Sequence, residues 1–381
     1  MAEIVYMDHA ATSAVRPPVV SRAVAEYIDT IGATPGRGGH RLAHEAGRVA
    51  LRCRQRIAQL MDVPGDASRV TFAPNATYAL NAALWGVLRR GDRVIVSDID
   101  HNAVLRPCAA LARERDVAVT QVPCTPEGAL DERTLEQSLG GARLLVLNAA
   151  SNVLGNVLDV RSLAALARAA GVLTLVDVAQ LAGHVPFSVT DWGADMVAFT
   201  GHKGLLGPQG IGGLWVRQGV EVEPLVTGGT GGDSLQRDMP AAWPDHLEAG
   251  SLNGPGIAGL YAGAGFVLDE GVAAMHARLA PLKQQLRDAL VATPRVRVVS
   301  PAAPDGVAIV TVTTDGVDVA AVAARLDREH GVLTRPGLHC APEAHRLLGT
   351  ATTGALRFSL GWSSTAADVE RAAAAIRAVL A

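Results

Sequence analysis

Lysine is almost absent from this chain of 381 residues. Lysine and arginine together number 34, but only Lys203 and Lys283 are lysines. Lys203 lies in the stretch TGHKGLLGPQG, between a histidine and a glycine-rich turn. An amine can serve as a covalent catalyst by forming a Schiff base with a carbonyl compound, provided that it is rigidly held beside an anion-binding pocket. The residues around Lys203 therefore decide whether it has such a role.

Cysteine is also scarce, and none of the four residues forms a CxxC pair. This spacing excludes a zinc ribbon and argues against a disulfide framework, and we expect no metal site. A cysteine with a special role must then be identified by its neighbours. The four residues are Cys53, Cys108, Cys124 and Cys340.

Long apolar runs and runs of like charge are missing as well. The net charge is -3, which gives no electrostatic reason to expect nucleic acid or an anionic membrane as a partner. No apolar stretch approaches the roughly 18 residues that span a bilayer, and the start MAEIVYMDHAATS lacks the pattern of a secretory signal. We expect a cytoplasmic protein that binds a small molecule.

Short apolar runs alternate with helical stretches over residues 16–262. The runs include VIVS, LLVLN, LTLVD and MVAFT, which are apolar on both faces. This pattern predicts an α/β unit with a largely parallel sheet covered by helices on both sides. Residues 263–381 contain fewer strands and longer helices, which predicts a smaller α+β domain, and residues 1–15 could pack on it.

The neighbours of Lys203 indicate a site for a covalently held pyridine cofactor. Thr200 and His202 are hydrogen-bond donors beside it, and the glycines that follow let a ligand approach closely. An earlier strand ends in Asp177, at the sheet edge where α/β proteins bind ligands. A carboxylate keeps a pyridine nitrogen protonated, and Gln180 could reach a ring hydroxyl. Taken alone, Lys203 reads as a surface residue and Asp177 as a helix cap.

Further polar groups are predicted at the same edge. Ala76 and Thr77 begin a helix directly after the strand VTFA, where free N–H groups and the helix dipole attract a phosphate. His101 follows another strand and could stack on a pyridine ring. Asn152 lies in a Ser-Asn turn after a fourth strand and could hydrogen-bond a cofactor or substrate. Each also has an ordinary structural reading as a cap or a core residue.

The order and spacing of these motifs resemble the class V aminotransferase-fold enzymes that use pyridoxal 5′-phosphate. The likeness runs from MDHAATS through NATYALN, DIDHNAVLRP and TGHKG to ALRFSLG. It implies the type I fold of pyridoxal-phosphate enzymes, with a large domain built on a mostly parallel sheet flanked by helices and a smaller α+β C-terminal domain.

The resemblance also implies roles for individual residues. Lys203 would be the Schiff-base lysine, Asp177 would contact the pyridine nitrogen, Gln180 would lie near the ring oxygen and His101 would lie over the ring face. The phosphate would be held by Ala76, Thr77, Thr200 and His202. Such enzymes are usually homodimers, and Thr230 in the glycine-rich TGGTGGDS would contact the phosphate of the partner subunit.

A cysteine in the C-terminal part points to one branch of that family. The run RPGLHCAP around Cys340 resembles the active-site loop of group II cysteine desulfurases, the SUF-type and selenocysteine-lyase-like branch. Glycine and proline on both sides predict an exposed turn. A buried hydrophobe is the commonest role of a free cysteine and the one we expect for the other three.

The desulfurase resemblance implies a reaction and a substrate site. L-cysteine would yield L-alanine and a persulfide on Cys340, from which sulfur passes to an acceptor protein. Arg357 matches the arginine that binds the substrate carboxylate, which suits a bidentate guanidinium. Asn152, His40 and Arg335 are further candidates for binding the substrate. His40 and Arg37 lie in the segment GRGGH, which resembles a family segment that borders the substrate pocket.

Two points stay open from the sequence. Either His339 or the cationic Arg335 could favour the thiolate of Cys340. The HxxLG segment at His345 marks a subgroup, which leaves the pathway of the sulfur undecided.

Other functions compete with desulfuration. A selenocysteine lyase shares almost all of these residues, and another class V C–S lyase or aminotransferase needs the cofactor but no nucleophilic cysteine. A non-catalytic regulator or scaffold of the same fold would lack the lysine or the cysteine, or would add a DNA-binding domain. A dinucleotide site is not indicated, because no GxGxxG stands between a strand and a helix with an acid further on.

Overall fold

The computed structural model of the protein describes residues 4–36, 38–232 and 234–381. Within these ranges, the strands are β1 Val5–Tyr6, β2 Val70–Ala73, β3 Arg93–Ser97, β4 Ala118–Val122, β5 Leu144–Asn148, β6 Leu173–Asp177, β7 Met196–Thr200, β8 Gly212–Val216, β9 Val296–Val298, β10 Ile309–Thr314, β11 Val332–Leu333, β12 Arg335–Gly337 and β13 Ala355–Ser359. The α-helices are α1 Pro18–Glu26, α2 Arg41–Met61, α3 Ala76–Val87, α4 Asn102–Arg115, α5 Glu132–Leu139, α6 Val160–Ala169, α7 Val189–Trp192, α8 Gly254–Glu270, α9 Val272–Val291, α10 Val319–His330, α11 Pro342–Leu347 and α12 Ala366–Leu380.

A seven-stranded sheet in the order β2-β8-β7-β6-β5-β3-β4 forms the centre of the larger unit. All neighbours pair in parallel except β8, which runs antiparallel to both β2 and β7. The central strands β5 and β7 are buried along their whole length. This explains their continuous apolar sequences, because helices cover both faces and each buried Leu, Val or Phe contributes roughly 1.5–3 kcal/mol. The predicted α/β fold with a mostly parallel sheet is confirmed.

The parallel strands bring their carboxyl ends to one edge of this sheet. Asp177 at the end of β6 pairs in register with Asn148 at the end of β5 and with Ala198 of β7. β7 then ends at Thr200, three residues before Lys203. The chemistry-bearing residues predicted from separate motifs therefore lie at one edge, as expected for open α/β sheets.

The C-terminal unit contains a four-stranded antiparallel sheet in the order β12-β13-β10-β9. α9, α10 and α12 supply apolar side chains to its core, to which Val5 and Met7 also belong. β1 pairs in parallel with β11, so the described part of the N-terminal segment packs on this unit. The pairing of β12 with β13 is not evident from the sequence, where Arg335–Gly337 reads as a polar loop.

The predicted domain boundary between residues 262 and 263 falls inside α8, which continues to Glu270 before α9 begins. The division into 16–262 and 263–381 stays a prediction. Across the described ranges, no single helix is long and apolar enough to cross a membrane. Only α8 and α9 taken together have the necessary length and composition, and they are bent by 76° at their junction.

Candidate active site

A cavity of about 480 Å³ opens at the carboxyl edge of the large sheet. Most of the predicted cofactor residues line it, although they come from five separate segments of the chain. Its polar lining comprises Asn75, Thr77, His101, Asn148, Asn152, Asp177, Gln180, Thr200, His202 and Lys203, with the main chain of Ala76 at one end.

Asp177 is a buried acid at the end of β6. Its Oδ1 accepts a hydrogen bond of 2.8 Å from the N–H of Ala179, which begins the turn after the strand. Burial raises the pKa of this carboxyl group, and the Ala179 N–H together with the nearby Lys203 amine lowers it again. A cationic partner such as a pyridinium would restore the ionised form, because it adds the opposite charge in a desolvated site.

Lys203 lies on the turn after β7. Its carbonyl accepts hydrogen bonds from Ser13 Oγ at 3.0 Å and from the Leu206 N–H at 3.0 Å, so its main chain is held from two sides. Burial lowers the pKa of the amine to about 8, partly offset by Asp177; Arg357 and Arg335 lower it further. About a tenth of the amine is therefore neutral at pH 7, far more than for a solvated lysine, and a nucleophile or a base requires this form.

The N-terminus of α3 borders the same cavity. Asn75 caps this helix by accepting the N–H of Tyr78 at 2.9 Å, and Ala76 and Thr77 form its first turn. Thr200 faces the same cavity, and its buried Oγ1 has no hydrogen-bond partner among the described residues. A buried hydroxyl without a partner is unfavourable, so this atom and the free helix N–H groups fit the oxygens of a phosphate.

His202 completes this end of the cavity from the turn before Lys203. Its Nδ1 lies 3.0 Å from Thr12 Oγ1, and burial lowers its pKa to about 4. The neutral ring can offer a hydrogen bond without adding charge.

His101 is neutral and its tautomer is fixed. It caps α4, where its Nδ1 accepts the N–H of Ala103 at 3.0 Å, so the ring proton resides on Nε2. Burial lowers its pKa to about 4, and the cationic Lys203, Arg335 and Arg357 act in the same direction. The ring lines the cavity, where it can face a flat ligand and donate from Nε2.

Two side-chain amides that line the cavity already donate hydrogen bonds to main-chain carbonyls of the protein. Gln180 Nε2 donates to the carbonyl of Ala10 at 2.9 Å. Asn152 Nδ2 donates to the carbonyl of His339 at 2.6 Å, while its buried Oδ1 has no partner in the described ranges. That oxygen is available to a substrate or cofactor donor, whereas the amide nitrogen is already used to hold the cysteine loop.

Cys340 is exposed on the turn between β12 and α11, whereas the other three cysteines are buried. Arg335 Nη2 lies 3.6 Å from its Sγ. His339 precedes it but uses both ring nitrogens elsewhere, on Arg335 O at 2.9 Å and His345 Nε2 at 3.1 Å. The group that faces the thiol is therefore the guanidinium of Arg335, which answers the question that the sequence leaves open.

Arg357 on β13 is fully buried, and its guanidinium is held from two sides. Nη2 donates to Asp8 Oδ1 at 2.8 Å, and Nη1 donates to the carbonyl of Asn152 at 3.0 Å. Its Nε is buried without a partner among the described residues. A carboxylate could accept from that N–H, since an arginine presents several donors in one plane.

Two of the sequence candidates, His40 and Thr230, are not part of the lining of the Lys203 cavity. His40 is exposed and caps α2 through a contact of 3.4 Å with the Ala43 N–H. Thr230 lines a different cavity with Arg54 and Glu248. Arg37 lies outside the described residues. A substrate role for His40 and a role for Thr230 in a partner subunit stay predictions.

The sequence reasoning assigned no role to Asp8, Asn75, Thr12 or Asn148. Asp8 and Thr12 belong to MDHAATS. The only feature of this segment that could have indicated a role in the site is its cluster of polar residues beside apolar ones. Asn148 supports His101 indirectly, because its Nδ2 donates to the carbonyl of Ile99 at 2.7 Å, two residues before that histidine.

The fold and site define a pyridoxal-phosphate enzyme of the aminotransferase type, and the comparisons agree. The family described as Aminotransferase class-V matches residues 5–372. The chain therefore belongs to the class-V aminotransferase family, and the family implies pyridoxal phosphate as the cofactor.

Curated relatives extend over nearly the whole chain. The probable cysteine desulfurase of Methanothermobacter thermautotrophicus is 32% identical over 96% of this chain and 92% of its own length. That of Pseudomonas aeruginosa is 34% identical, covering 97% of this chain and 92% of the relative. The predicted similarity to cysteine desulfurases is confirmed.

Solved structures agree with these relatives. The apo cysteine desulfurase of Thermococcus onnurineus superposes with a TM-score of 0.91 at 28% identity, covering 99% of this chain and 94% of that one. The cysteine desulfurase CsdA of Escherichia coli, in an S-sulfonic acid form, gives a TM-score of 0.88 at 28% identity with the same coverage. The structural resemblance includes a group II enzyme, as the loop around Cys340 predicted.

The residues present fit the cofactor. Among the described residues Thr200 Oγ1 lacks a partner, and it lines the same cavity as the first turn of α3 and the desolvated Asp177 and Lys203. An acid, an amine with a lowered pKa and an anion site are the three features that a pyridine aldehyde phosphate requires.

Proposed function

We propose that this protein is a cysteine desulfurase in which Lys203 holds pyridoxal phosphate and Cys340 receives the sulfur of L-cysteine. The observation that carries the proposal is that Asn152 links the Lys203 cavity to Arg357 and to the turn of the exposed Cys340. Asn152 lines that cavity, its carbonyl accepts from Arg357 Nη1 at 3.0 Å, and its Nδ2 donates to the carbonyl of His339 at 2.6 Å. Cys340 contributes to the electrostatics of both Lys203 and Arg357, so the three groups are close in space although they are far apart in sequence. The curated relatives and solved structures support this activity.

Lys203 would hold the cofactor at its aldehyde carbon and Asp177 at its ring nitrogen. The N-terminus of α3 would hold the phosphate. When bound, pyridoxal phosphate supplies an electrophilic carbon and a ring that accepts electrons. Asp177 would keep a proton at the ring nitrogen, and His101 would cover the ring face. Ala76, Thr77, Thr200 and His202 would bind the phosphate through main-chain and side-chain donors.

The substrate would be oriented by the C-terminal unit. Arg357 would bind the carboxylate of cysteine through its free Nε–H, while Asp8 and the Asn152 carbonyl hold the guanidinium still. Lys203, whose pKa is lowered to about 8, would remove the α-proton and later return a proton. Asn152 Oδ1 is the acceptor available for a substrate donor.

Cys340 would then take the sulfur. Its thiolate, beside the Arg335 guanidinium, attacks the sulfur of the substrate, so that an S–S bond forms while the C–S bond breaks. The electron pair of the broken bond stays with the carbon skeleton, which takes up protons and leaves as alanine. The balance is one cysteine and one thiol converted into one alanine and one persulfide, with no other oxidant or reductant.

The proposal extends to partners and location. We infer a homodimer in which Thr230 reaches the phosphate of the partner subunit, because Thr230 lies in a largely exposed glycine-rich loop away from the cavity of its own chain. A protein thiol is the proposed sulfur acceptor, since Cys340 is exposed. The cytoplasm, which keeps thiols reduced, is the proposed compartment.

Replacement of Cys340 by alanine tests the proposal. The purified protein is given L-cysteine and a thiol reductant, and alanine and sulfide are measured. Wild-type protein should form both in equal amounts, and Cys340→Ala should form neither above a few per cent. Cys124→Ala, which removes a buried cysteine, is the matched control and should keep the activity. Full sulfide release by Cys340→Ala would instead indicate a simple C–S lyase, and a strong preference for selenocysteine would indicate a selenocysteine lyase.

A further inference from the structure

The HxxLG segment after Cys340 forms a buried polar chain behind the cysteine. His345 lies on α11 and is fully buried, as is Thr350 on the turn that follows. His345 Nδ1 lies 2.7 Å from Thr350 Oγ1, and its Nε2 lies 3.1 Å from His339 Nδ1. His339 Nε2 lies 2.9 Å from the carbonyl of Arg335. Four groups in sequence thus link the turn at Thr350 to the strand that carries Arg335.

The direction of every hydrogen bond in this series follows from its last acceptor, the carbonyl of Arg335. A carbonyl oxygen can only accept, so His339 Nε2 must donate to Arg335 O. Burial lowers the pKa of His339 to about 3 and that of His345 to about 4, so both rings are neutral. His339 Nδ1 is then an acceptor, which requires His345 Nε2–H to donate. His345 Nδ1 in turn accepts from the hydroxyl of Thr350 at 2.7 Å, which is closer than the 3.3 Å between that hydroxyl and the carbonyl of His345.

The peptide that this chain supports has an unfavourable backbone conformation. His339 and Cys340 have φ values of 51° and 59°, in the left-handed region that non-glycine residues seldom adopt. Two other contacts hold the same turn, from Asn152 Nδ2 to His339 O at 2.6 Å and from the Asn102 N–H to Cys340 O at 2.7 Å. Such a conformation persists only where its surroundings determine it, and it is often found at functional sites.

This series of hydrogen bonds also determines which side chain lies beside the Cys340 thiol. Both nitrogens of His339 are engaged inside the fold, so that ring is not a base for Cys340. The Arg335 Nη2 group lies 3.6 Å from Sγ, and the carbonyl of the same residue is the end of the chain. Arg335 and Cys340 are therefore tied together through the imidazole of His339.

We propose that His345 and Thr350 are positioning residues for the nucleophile: they hold the ring of His339 in place, and this ring holds the Cys340 turn with Sγ beside the Arg335 guanidinium. The proposal rests on the function proposed above in one respect, that Cys340 is the reactive thiol. Loss of the Thr350 hydroxyl would leave His345 Nδ1 without its donor and free the His345 ring to move. The hydrogen bond from His345 to His339 would then weaken, and the Cys340 turn would lose support.

The tautomers can be read directly. In ¹⁵N-histidine-labelled protein, Nε2–H rings give distinct nitrogen shifts for the two ring positions. His345→Phe identifies the signals of His345 by their loss, and His339→Phe identifies those of His339 in the same way. We expect two neutral Nε2–H rings joined by an N–H···N bond, unchanged across the neutral pH range. In Thr350→Val, the Nδ1 signal of His345 should move towards that of an imidazole nitrogen that accepts no hydrogen bond, because its donor is removed. An Nδ1–H form or a charged ring for His339 in wild-type protein would overturn the proposal.

The consequence for the cysteine is measured by alkylation. Intact protein is treated with iodoacetamide and the peptide containing Cys340 is quantified, since the other three cysteines are buried. Removal of one neutral hydrogen bond in Thr350→Val should slow alkylation by about threefold to tenfold and lower kcat similarly, with KM for cysteine within about twofold.

Two control variants separate this effect from a general loss of packing. Thr350→Ser keeps the hydroxyl and should retain the wild-type rate of alkylation. Thr352→Val removes an exposed hydroxyl from the same turn and should also retain it. Equal or faster alkylation of Thr350→Val, or equal slowing in Thr350→Ser, contradicts the proposal. The histidine nitrogen shifts and the rate of Cys340 alkylation do not depend on turnover. Both therefore test the positioning proposal even if the wild-type protein releases no sulfide from cysteine.

Discussion

Arg357 and Asp8 form an ion pair of 2.8 Å that joins β13 to the segment after β1, and the arginine is fully buried. The residue proposed to bind the substrate carboxylate thus already has a carboxylate partner in the protein. Asp8 compensates the buried charge, and its own negative charge opposes the approach of a second carboxylate to the free Nε–H of Arg357. These two effects have opposite consequences for stability and for substrate affinity.

Asp8→Asn should separate them. Removing the charge leaves Arg357 buried without its counter-ion, so we expect unfolding free energy to fall by about 1–3 kcal/mol. The same change removes a negative charge that repels the substrate carboxylate, so KM for cysteine should fall by about threefold or more. Thermal unfolding and steady-state kinetics measure the two quantities.

Asp116→Asn is the matched control for that experiment. It breaks the exposed pair with Arg90 and should change stability by less than about 0.5 kcal/mol, with no effect on KM. A raised KM in Asp8→Asn at unchanged stability would show that Asp8 assists carboxylate binding rather than opposing it.

Thr200→Val should weaken cofactor binding without harming the apo protein. The buried Oγ1 of Thr200 has no partner in the described part of the chain, so its removal should leave apo stability equal or slightly higher. A hydrogen bond to a phosphate is charge-assisted, so its loss should raise the Kd for pyridoxal phosphate by about tenfold or more. Absorbance titration of the apo protein and its thermal unfolding test both effects.

Thr71→Val provides the contrast. Thr71 Oγ1 is equally buried but donates to the Leu214 carbonyl at 2.9 Å. Its replacement should lower apo stability by about 1 kcal/mol and leave cofactor affinity unchanged. If Thr200→Val behaves like Thr71→Val, then Thr200 has a structural role and not a phosphate-binding one.

Capture of the cofactor by apo protein should depend on pH through the amine of Lys203. Burial lowers its pKa from 10.5 to about 8, so the neutral fraction rises with pH and levels off above that value. The rate of capture should therefore increase about tenfold per pH unit well below pH 8 and become flat above it. A free alkylamine measured in parallel corrects for the titration of the cofactor itself. A corrected rate that keeps rising towards pH 10.5 would indicate a solvated amine.

The strand ends of the site could be predicted because their signals are local. Asp177 and Thr200 each close an apolar run, and Ala76 follows an asparagine that caps a helix. Parallel pairing then brings these residues to one edge without further information. The approximate strand positions in the large sheet needed only the alternation of apolar runs and helical stretches.

The long-range contacts could not be predicted in the same way. Arg357 and Asp8 are 349 residues apart, and nothing in either neighbourhood indicates the other. The sequence also does not show in which direction a side chain points. Both His339 and Arg335 are near Cys340 in the sequence, but the ring of His339 is engaged with His345 and the Arg335 carbonyl, so only Arg335 faces the thiol. Such choices depend on packing rather than on composition.

The position of the covalent attachment tests the account most directly, and the scarcity of lysine makes the result clear. Lys203 lines the cavity, whereas Lys283 is buried elsewhere and donates to the Ala303 carbonyl at 2.6 Å. Protein loaded with pyridoxal phosphate is reduced with borohydride, digested and analysed by mass spectrometry. We predict the reduced cofactor on Lys203, none on Lys283, and none at all in Lys203→Arg. Label on Lys283, or an unmodified Lys203 in protein that has bound the cofactor, would contradict the account.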